Sequence, residues 1–427
     1  MVQQDSCGRR TAVSSHPTSG ICSQGTIGIS DFKDDMNPVI CSIARTPIGR
    51  FGATYPTLSA MDLGGVAIAA ALERAELDPA DVDEVIFGHV LQAGQGQITS
   101  RQAAVKGGIS MSVPAMTINK VCLSGMTSIA EAANHIRLGE STFVVAGGME
   151  SMTNAPYVLD KARSGYKYGD GTLIDILTHD GLFCAFDSCL MGESSDLKNA
   201  DLHITREDQD AWSARSHDRA AAATDTGVFA EEIIPVSIPQ RRGEPLVVDQ
   251  DQGIRRDTTA ESLANLRAAF IQDGSITAGN ASQISDGAAA LVIADRAAAE
   301  ASGMPILAEI LSYAQVAGPD ATLHERPAEA LQAALEKASL TPGDLDLVEI
   351  NEAFASVAMW SAHMLGIDDQ RVNIHGGAVA LGHPLGATGA RIVVTLINAL
   401  AATGGTIGGA ALCGGGGQGD ALIVRMV

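Results

Sequence analysis

The sequence predicts an α/β protein made of two related halves, with a long polar segment inserted between them. Its 427 residues include 46 glycines, and hydrophobic residues make up 46% against only 4% aromatic residues. This composition is typical of helices that pack closely on strands. A repeated segment indicates the two halves: AALERAELDPADVDEVI at residues 70–86 corresponds to AALEKASLTPGDLDLVE at residues 333–349.

Each copy of the repeat predicts a helix, a turn and a strand. In the first copy, apolar residues at roughly helical spacing predict the helix, namely Leu63, Val66, Ile68 and Leu72. Pro79 in the first copy and Pro342 in the second interrupt the helical pattern, and an apolar run follows each proline. Equivalent elements are therefore expected at equivalent places in both halves.

The residues after each copy are also parallel. A turn and a predicted helix at 124–138 lead to a short strand at 143–145, and the same order occurs at 386–400 and 410–412. Two halves with the same order of elements predict a pair of packed sheets related by a pseudo-twofold axis.

The repeat and the changes in composition predict the domain boundaries. Residues 1–36 are polar and rich in Ser, Gly and Thr, so they are expected to form an unstructured extension, and Met36 is a second candidate for the true start. The segment between the halves is more polar and irregular, and inserted segments of this length are usually functional. The expected parts are an N-terminal half at 37–152 and 285–305, an inserted loop domain at 153–284, and a C-terminal half at 306–427.

Charge and cysteine content exclude several classes of partner. The formal net charge of −22 argues against binding to nucleic acid or to an anionic membrane surface, because both require a basic field. A membrane span is not expected, since no run of about 18 apolar residues occurs. The seven cysteines are scattered and form no Cys-x-x-Cys pair, which predicts a reducing, cytoplasmic location.

Cys122, in NKVCLSGM, is the first candidate catalytic residue. It lies at a predicted strand-to-helix junction. The N-terminus of a helix stabilises a thiolate, so this position is expected to lower the thiol pKa from about 8.5 toward neutrality. The alternative is an inert buried thiol, which is the commoner fate of an unpaired cysteine.

His383, in GHPLGATGAR, occupies the matching position in the second half, where a strand-like stretch meets a helix. A neutral imidazole at this position could accept the proton of a thiol. The alternative is a histidine that only caps the turn. The correspondence with Cys122 across the repeat favours catalysis.

Two further motifs end predicted strands of the C-terminal half. Cys413 begins CGGGGQG, whose glycines allow backbone N–H groups to approach a ligand oxygen. The glycines also match a dinucleotide-binding pattern, but only eight residues follow Gly419, too few for the helix that such a site requires. Asn351, in NEAFA, can orient a water or a carbonyl. Strand ends of α/β proteins are where ligands bind.

Together, NKVCLSGM, GGMESM, NEAFA, GHPLGATGAR and CGGGGQG resemble the motifs of the thiolase family in order and spacing, from about residue 38 to the end. The resemblance implies a layered α-β-α-β-α fold with a loop domain. It also implies reversible Claisen condensation and thiolysis of acyl groups on coenzyme A. The CoA thioesters would be substrates, no metal or other cofactor would be needed, and the chain would form a homodimer or homotetramer.

The resemblance also implies roles for the residues. Cys122 would be acylated, His383 would activate it, Cys413 would exchange the α-proton of the second acyl-CoA, and Asn351 would hold a catalytic water. One oxyanion site would consist of His383 and that water. The other would consist of the backbone N–H groups of Cys122 and Gly415.

The inserted segment would bind coenzyme A. By resemblance, Ser282 would contact the pantetheine arm, and Arg255 and Ser262 would meet the adenosine phosphates. Without the resemblance, Arg255 reads as a solvated surface residue. Leu182 and Met191 match residues at the border of the acyl pocket.

Two positions depart from the short-chain pattern. Leu190 replaces a histidine that many short-chain members carry beside the acyl pocket, and Leu123 replaces a frequent glycine. An acetyl-CoA C-acetyltransferase is the primary expectation, and a degradative 3-ketoacyl-CoA thiolase for longer chains is the alternative. A non-catalytic acyl-CoA carrier on the same fold is the third reading.

A zinc site is not expected from the remaining cysteines and histidines. Cys184 and Cys189 lack the usual zinc-ligand spacing, and neither His179 nor His203 belongs to a companion pair of ligands.

Overall fold

A computed structural model describes residues 37–427. The expected extension at residues 1–36 lies outside the described residues. The first part of the chain forms five strands: β1 (Pro38–Arg45), β2 (Gly49–Arg50), β3 (Glu84–Gly88), β4 (Ala115–Ile118) and β5 (Phe143–Ser151). Its helices are α1 (Ala60–Ala75), α2 (Thr99–Lys106) and α3 (Ser124–Arg137).

The inserted segment at residues 153–284, which follows β5, contains short strands that pair with one another and not with the main sheet. They form three two-stranded ladders: β6 (Tyr157–Val158) with β7 (Ile174–Asp175), β8 (Phe183–Cys184) with β9 (Cys189–Leu190), and β10 (Val236–Ile238) with β11 (Leu246–Val248). The helices here are α4 (Met191–Asp201), α5 (Arg206–Asp225) and α6 (Ala260–Ala264).

The chain then returns to the main sheet and builds the second half. The strands are β12 (Ser285–Asp295), β13 (Ala308–Ala317), β14 (Leu347–Ile350), β15 (Ile407–Gly414) and β16 (Gln418–Met426). The helices are α7 (Arg296–Ser302), α8 (Arg326–Lys337), α9 (Ala355–Leu365), α10 (Ala378–Leu381) and α11 (Leu385–Thr403).

The strand order shows the internal symmetry expected from the repeat. It runs β4-β3-β5-β12-β1-β13-β16-β15-β14, so the two halves mirror each other about the β1–β13 junction. That junction is a short antiparallel ladder in which Val39 lies opposite Glu309 and Ile40 opposite Ala308. The sequence predicts two packed sheets, whereas the strands form one sheet whose halves are joined by these two residue pairs.

Helices cover and separate the two halves of the sheet. α1 and α2 cover the N-terminal half, and α8 and α9 cover the C-terminal half. α3 and α11 pack against each other and against strands of both halves. Apolar residues from both halves, among them Ile129 of α3 and Ile392 of α11, form one buried cluster there. This central helix pair carries the site described below.

The repeated helices have local stop and start signals that explain their bounds. α1 begins at a capping box, in which Ser59 and Asp62 each bond the backbone N–H of the other. It ends at Glu76, which adopts a left-handed conformation. After α8, Thr341 and Asp344 form a capping box around Pro342, at the position where Asp78 caps the turn at Pro79 in the first copy. The predicted helix-turn-strand order is therefore present in both copies.

α11 is the one helix within residues 37–427 that is long and apolar enough to cross a membrane. However, 89% of its most apolar window is buried inside the protein. It also carries Arg391 and Asn398, both buried. Its apolar character is that of a central core helix packed between two layers of strands.

Candidate active site

The turn between β4 and α3 presents Cys122. The hydroxyl of Ser124 accepts the backbone N–H of Lys120 at 2.8 Å and donates to the carbonyl of Val121 at 2.6 Å. Val121 itself has a φ of 50°, in the left-handed region that a β-branched residue rarely adopts. Strain of this kind persists only where surrounding contacts impose it and often occurs at functional sites. The turn therefore fixes the position of the Cys122 thiol.

The resting pKa of Cys122 does not follow the expectation from sequence. Burial raises it from 9.0 to about 12, and the nearby Glu150 carboxylate acts in the same direction. The backbone N–H groups of Gly415 and Cys122 lower it, but by less than burial raises it. The predicted shift toward neutrality is wrong because desolvation outweighs the helix terminus. Cys122 is a neutral thiol until a base takes its proton.

The candidate for that base, His383, lies on the other half of the molecule. Nε2 of His383 lies 3.3 Å from Sγ of Cys122, and Nδ1 lies 2.7 Å from Oγ1 of Thr388. The Thr388 hydroxyl donates its hydrogen to the carbonyl of Pro384 at 2.9 Å. It must therefore accept from Nδ1, which places the imidazole proton on Nδ1 and leaves the Nε2 lone pair facing the thiol.

The surroundings keep His383 neutral. Burial lowers its pKa from 6.5 to about 3, and the positive charge of Arg391 contributes in the same direction. A neutral imidazole is the form that accepts a proton. The predicted pairing of His383 with Cys122 thus has the geometry and protonation state that proton transfer requires.

Cys413 lies near the end of β15, next to the glycine loop. Its side chain is buried, and burial raises its pKa, with a further contribution from Cys122 whenever that residue is a thiolate. A Cβ on Gly414 would lie 2.5 Å from Cγ of Leu123, so the absence of a side chain there makes room for Leu123. The turn continues through Gly416 with a φ of 80°. The loop thus brings the Gly415 N–H to the Cys122 thiol.

Asn351 follows β14 and is completely buried. Neither its amide nitrogen nor its amide oxygen has a hydrogen-bond partner among the described residues. A buried amide without partners costs roughly 1–3 kcal/mol unless a water or ligand satisfies it. The side chain therefore fits the predicted role of holding a water.

A cavity of about 550 Å³ leads to this group. Its predominantly apolar wall includes Leu385, the aromatic rings of Phe51, Phe270 and Phe354, and aliphatic side chains of the inserted segment at residues 153–284. Of the residues predicted from sequence, these line it: Leu182, Leu190, Met191, Arg255, Ser282 and His383. Cys122 is not itself among the lining residues, but it lies 3.3 Å from His383, which is, and its apolar neighbours include Leu182 and Leu385.

The predicted phosphate-binding residues are placed differently from each other. Arg255 is exposed and lines the cavity, while its neighbour Arg256 pairs with Asp225 at 2.7 Å. Ser262 is exposed and does not line the cavity. Its hydroxyl is part of a capping box with Thr259 at the start of α6. Its contact with a CoA phosphate remains a prediction.

Several residues of the site were not identified from sequence. Thr388 lies within the motif GHPLGATGAR, but its role in fixing the tautomer of His383 was not predicted. Glu150 is fully buried and accepts backbone N–H groups of Val90, Leu91 and Gly386 at 3.0 to 3.2 Å. Its motif, GGMESM, was a signal, but its partners are distant in sequence. Arg50 also lines the cavity and lies outside every quoted motif.

The cysteines and histidines considered as zinc ligands do not form a cluster. Within residues 37–427, no three or more His, Cys, Asp or Glu side chains are close enough to share a metal ion. Cys184 and Cys189 instead lie opposite each other in the β8–β9 ladder.

Comparison with known proteins gives consistent matches over nearly the whole described chain. Residues 38–297 match the family model of the thiolase N-terminal domain, and residues 304–426 match that of the thiolase C-terminal domain. A probable acetyl-CoA acetyltransferase of Mycolicibacterium smegmatis is 51% identical over 387 residues, which cover 91% of this chain and 100% of that protein. The acetyl-CoA acetyltransferase of Escherichia coli is 49% identical over 390 residues, covering 91% and 99%.

A solved structure shows the same fold. The crystal structure of the Bacillus anthracis acetyl-CoA acetyltransferase superposes with a TM-score of 0.90 and 40% sequence identity, covering 92% of this chain and 99% of that chain. The layered α/β architecture predicted by resemblance is confirmed. On both sequence and structure, this chain belongs to the thiolase family.

Proposed function

We propose that the protein is an acetyl-CoA C-acetyltransferase, which converts two molecules of acetyl-CoA into acetoacetyl-CoA and CoA in a reversible reaction. The observation that carries the proposal is the 3.3 Å approach of Cys122 Sγ to Nε2 of His383, a residue that lines an apolar cavity. A thiol beside a correctly oriented neutral imidazole is the arrangement that covalent acyl transfer needs. The names of the relatives from Mycolicibacterium smegmatis and Escherichia coli agree with it.

In the first half-reaction, Cys122 is acetylated. Its thiol proton passes to Nε2 of His383 as Sγ attacks the thioester carbonyl of the first acetyl-CoA. The resulting tetrahedral oxyanion is stabilised by the backbone N–H groups of Cys122 and Gly415, both of which face the sulfur. His383 then returns the proton to the departing CoA sulfur. The covalent intermediate lets the first CoA leave before the second substrate enters.

In the second half-reaction, the Cys413 thiol gives its proton to Nε2 of His383, and the resulting Cys413 thiolate accepts the α-proton of the second acetyl-CoA. The enolate oxygen is stabilised by the proton now on Nε2 of His383, together with a water held by Asn351. The enolate carbon attacks the acetyl group on Cys122, and the thiolate of Cys122 leaves and takes the proton back from Nε2. The unpartnered amide of buried Asn351 supports the water in this step. No metal or redox cofactor is required by either half-reaction.

The CoA portion is proposed to lie along the inserted segment. Ser282 lines the cavity, which supports the expected contact with the pantetheine arm. Arg255 at the cavity wall, with Ser262 nearby in sequence, would meet the adenosine phosphates. Local positive charge matters because a protein with a net charge of −22 repels the CoA phosphates at long range.

Assembly and location follow from the same proposal. We expect a homodimer or homotetramer located in the cytoplasm. The cysteines within residues 37–427 are all free, as expected in a reducing compartment. Light scattering on the purified protein measures the assembly, and a monomer at micromolar concentration would contradict it.

A degradative 3-ketoacyl-CoA thiolase is the second candidate, and Leu190 is the observation that favours it. This apolar side chain lines the cavity where a histidine is frequent in short-chain members. A larger apolar wall suits longer or branched acyl chains. The third reading, a silent acyl-CoA carrier, does not require the His383–Cys122 pair.

The experiment that separates these functions is thiolytic cleavage with free CoA. We would compare kcat/KM for acetoacetyl-CoA with kcat/KM for a longer 3-ketoacyl-CoA. An acyl chain of about six to ten carbons is chosen to suit an apolar pocket of this size. The proposal predicts a preference for acetoacetyl-CoA. Preference for the longer substrate would support the degradative enzyme, and no cleavage of either would revive the carrier. Leu190→His is the matched variant, expected to shift preference further toward acetoacetyl-CoA.

A further inference from the structure

The hairpin formed by β8 and β9 places two cysteines opposite each other. In its antiparallel ladder, Phe183 lies opposite Leu190 and Cys184 opposite Cys189. Directly opposed residues of antiparallel strands have Cα atoms about 4.5–5.5 Å apart. This separation lies within the range of about 4.4–6.8 Å found for disulfides. The Cα spacing that this pairing implies is therefore compatible with a cross-link between the two cysteines.

The other cysteines of the described chain have different surroundings. Cys122 and Cys413 belong to the catalytic group, and Cys41 lies within the buried core of the N-terminal half. Cys189 is partly exposed, while Cys184 is buried and its sulfur accepts the backbone N–H of Asp187 at 3.4 Å. The Cys189 thiol is thus accessible to a small molecule from solution, whereas the Cys184 thiol is buried.

We propose that Cys184 and Cys189 form a reversible disulfide, a modification site whose co-reactant is a low-molecular-weight disulfide such as oxidised glutathione. The site is distinct from the catalytic cysteines. It needs no other oxidant, since each electron lost by the two protein thiols is gained by the small disulfide.

The chemistry proceeds in two exchanges. The Cys189 thiolate attacks one sulfur of oxidised glutathione, forming a mixed disulfide and releasing one glutathione thiolate. The Cys184 thiolate then attacks the Cys189 sulfur, which forms the cross-strand bond and releases the second glutathione. The two protein thiol protons end on the two released glutathione molecules. Excess reduced glutathione reverses both steps.

The local charges determine how readily exchange begins. Burial raises the pKa of Cys189, and the carboxylates of Glu193 and Asp187 act in the same direction, while the backbone N–H of Ser194 lowers it. Most of Cys189 is consequently protonated at neutral pH, and the thiolate is the attacking form. Exchange at Cys189 is therefore slower than at a thiol with an ordinary pKa, so the extent of reaction is measured after equilibration.

The hairpin links this site to the cavity. Leu190 and Met191, the two residues after Cys189, line the cavity wall. A cross-link across β8 and β9 would hold that wall in one position and hinder its adjustment to larger acyl chains. This consequence rests on the proposed function, whereas formation of the disulfide does not.

The test uses the full-length protein equilibrated in glutathione buffers of increasing oxidising ratio, then trapped with an alkylating reagent. Trypsin releases the segment from Tyr168 to Lys198, which contains Cys184 and Cys189 and no other cysteine. The expected result is loss of both alkylation sites from this peptide and a mass lower by two hydrogens than that of the unmodified peptide. Full alkylation of both cysteines at every ratio would overturn the proposal, as would a cross-link from either one to Cys122.

Two variants serve as controls. Cys184→Ser is expected to stop at the mixed disulfide on Cys189, because the resolving thiol is gone. In the Cys184→Ser/Cys189→Ser double variant, any oxidation-dependent change in activity comes from other cysteines. Oxidation of the wild type should lower kcat/KM for the longer 3-ketoacyl-CoA relative to acetoacetyl-CoA, and the double variant should not respond. An unchanged ratio despite the cross-link overturns the effect on the cavity, while no cleavage by the reduced enzyme overturns the proposed function.

Discussion

The carboxylate of Glu150 accepts the backbone N–H of Gly386 at 3.0 Å, which joins the last residues of β5 to the first turn of α11. The same carboxylate accepts the N–H groups of Val90 and Leu91. His383 precedes α11 by two residues. Glu150 therefore helps to hold the His383 turn of one half against the segment that follows β3 in the other half.

Replacing Glu150 with Gln should weaken this junction and also change the reactivity of Cys122. The new amide group faces N–H donors, and a buried mismatch of this kind costs about 1–3 kcal/mol of unfolding free energy. Burial is the main cause of the raised Cys122 pKa, with the Glu150 charge as a smaller contribution. Removal of that charge should lower the pKa, so the pH profile of Cys122 alkylation should shift to lower pH.

The alkylation profile separates an electrostatic role from a purely structural one. Rates would be followed with iodoacetamide on the Cys122 peptide, with Cys413→Ala as the background to remove a second reactive thiol. A profile that stays in place or moves to higher pH would contradict the assigned influence of Glu150 on the thiol.

Thr388→Val should slow acetylation of Cys122 by about tenfold to hundredfold. This factor corresponds to a rise of roughly 1.4–2.8 kcal/mol in the activation free energy when His383 is no longer oriented. Without the Thr388 hydroxyl, nothing selects the tautomer with its proton on Nδ1. The rate is measured as the burst of CoA release from acetyl-CoA. Thr388→Ser retains the hydroxyl and should restore most of the rate. Equal rates in the Val and Ser variants would show that the hydroxyl does not orient His383.

Asn351→Ala should impair condensation while leaving stability nearly unchanged. The side chain has no partner within the described chain, so its removal breaks no hydrogen bond there. If it holds the water of an oxyanion site, kcat for condensation should fall roughly hundredfold. The acetylation burst should persist, because that step uses the other oxyanion site. Loss of the burst together with a large fall in Tm would instead indicate a structural role.

The acetylation rate should not follow an ordinary histidine titration. The folded-state pKa of His383 is lowered from 6.5 to about 3 by burial, so the imidazole stays neutral as pH falls well below 6.5. The burst rate, measured between about pH 5 and pH 8, should therefore not fall with a midpoint near pH 6.5 as the pH is lowered. A single limb at that position, absent in the His383→Gln background, would place the pKa of His383 near its ordinary value.

Much of the fold was predictable because the repeat is explicit. The matched segments at 70–86 and 333–349 locate α1, β3, α8 and β14, whose bounds depend on local caps and prolines. The joining of the half-sheets was not predictable, since it depends on two residue pairs between β1 and β13 that carry no pattern of their own. The predicted boundaries of the inserted domain stay predictions.

The chemical identities at the site were predictable, and their electrostatics were not. Motif order identified Cys122 and His383, and the structure brings them together at 3.3 Å. The pKa of Cys122 rises where a decrease was expected, because sequence indicates a helix terminus but not how completely the thiol is desolvated. Glu150 was not predicted for a related reason. The backbone N–H groups that its carboxylate accepts come from segments that are far apart in the chain.

The proposed roles of the two catalytic cysteines lead to different predictions for labelling. Cys413→Ala should still become acetylated on Cys122 by labelled acetyl-CoA, yet should condense poorly because no group exchanges the α-proton. Its burst should match the wild type in amplitude. A Cys413→Ala variant that loses the burst would require a role for Cys413 in the first half-reaction.

The most direct test of the catalytic account is covalent labelling of the wild type and Cys122→Ala with radioactive acetyl-CoA, followed by identification of the labelled peptide. The account predicts one acetyl group per wild-type chain, bound to Cys122 and released by free CoA, and no label in Cys122→Ala. Stable label that persists in a folded Cys122→Ala variant would contradict it.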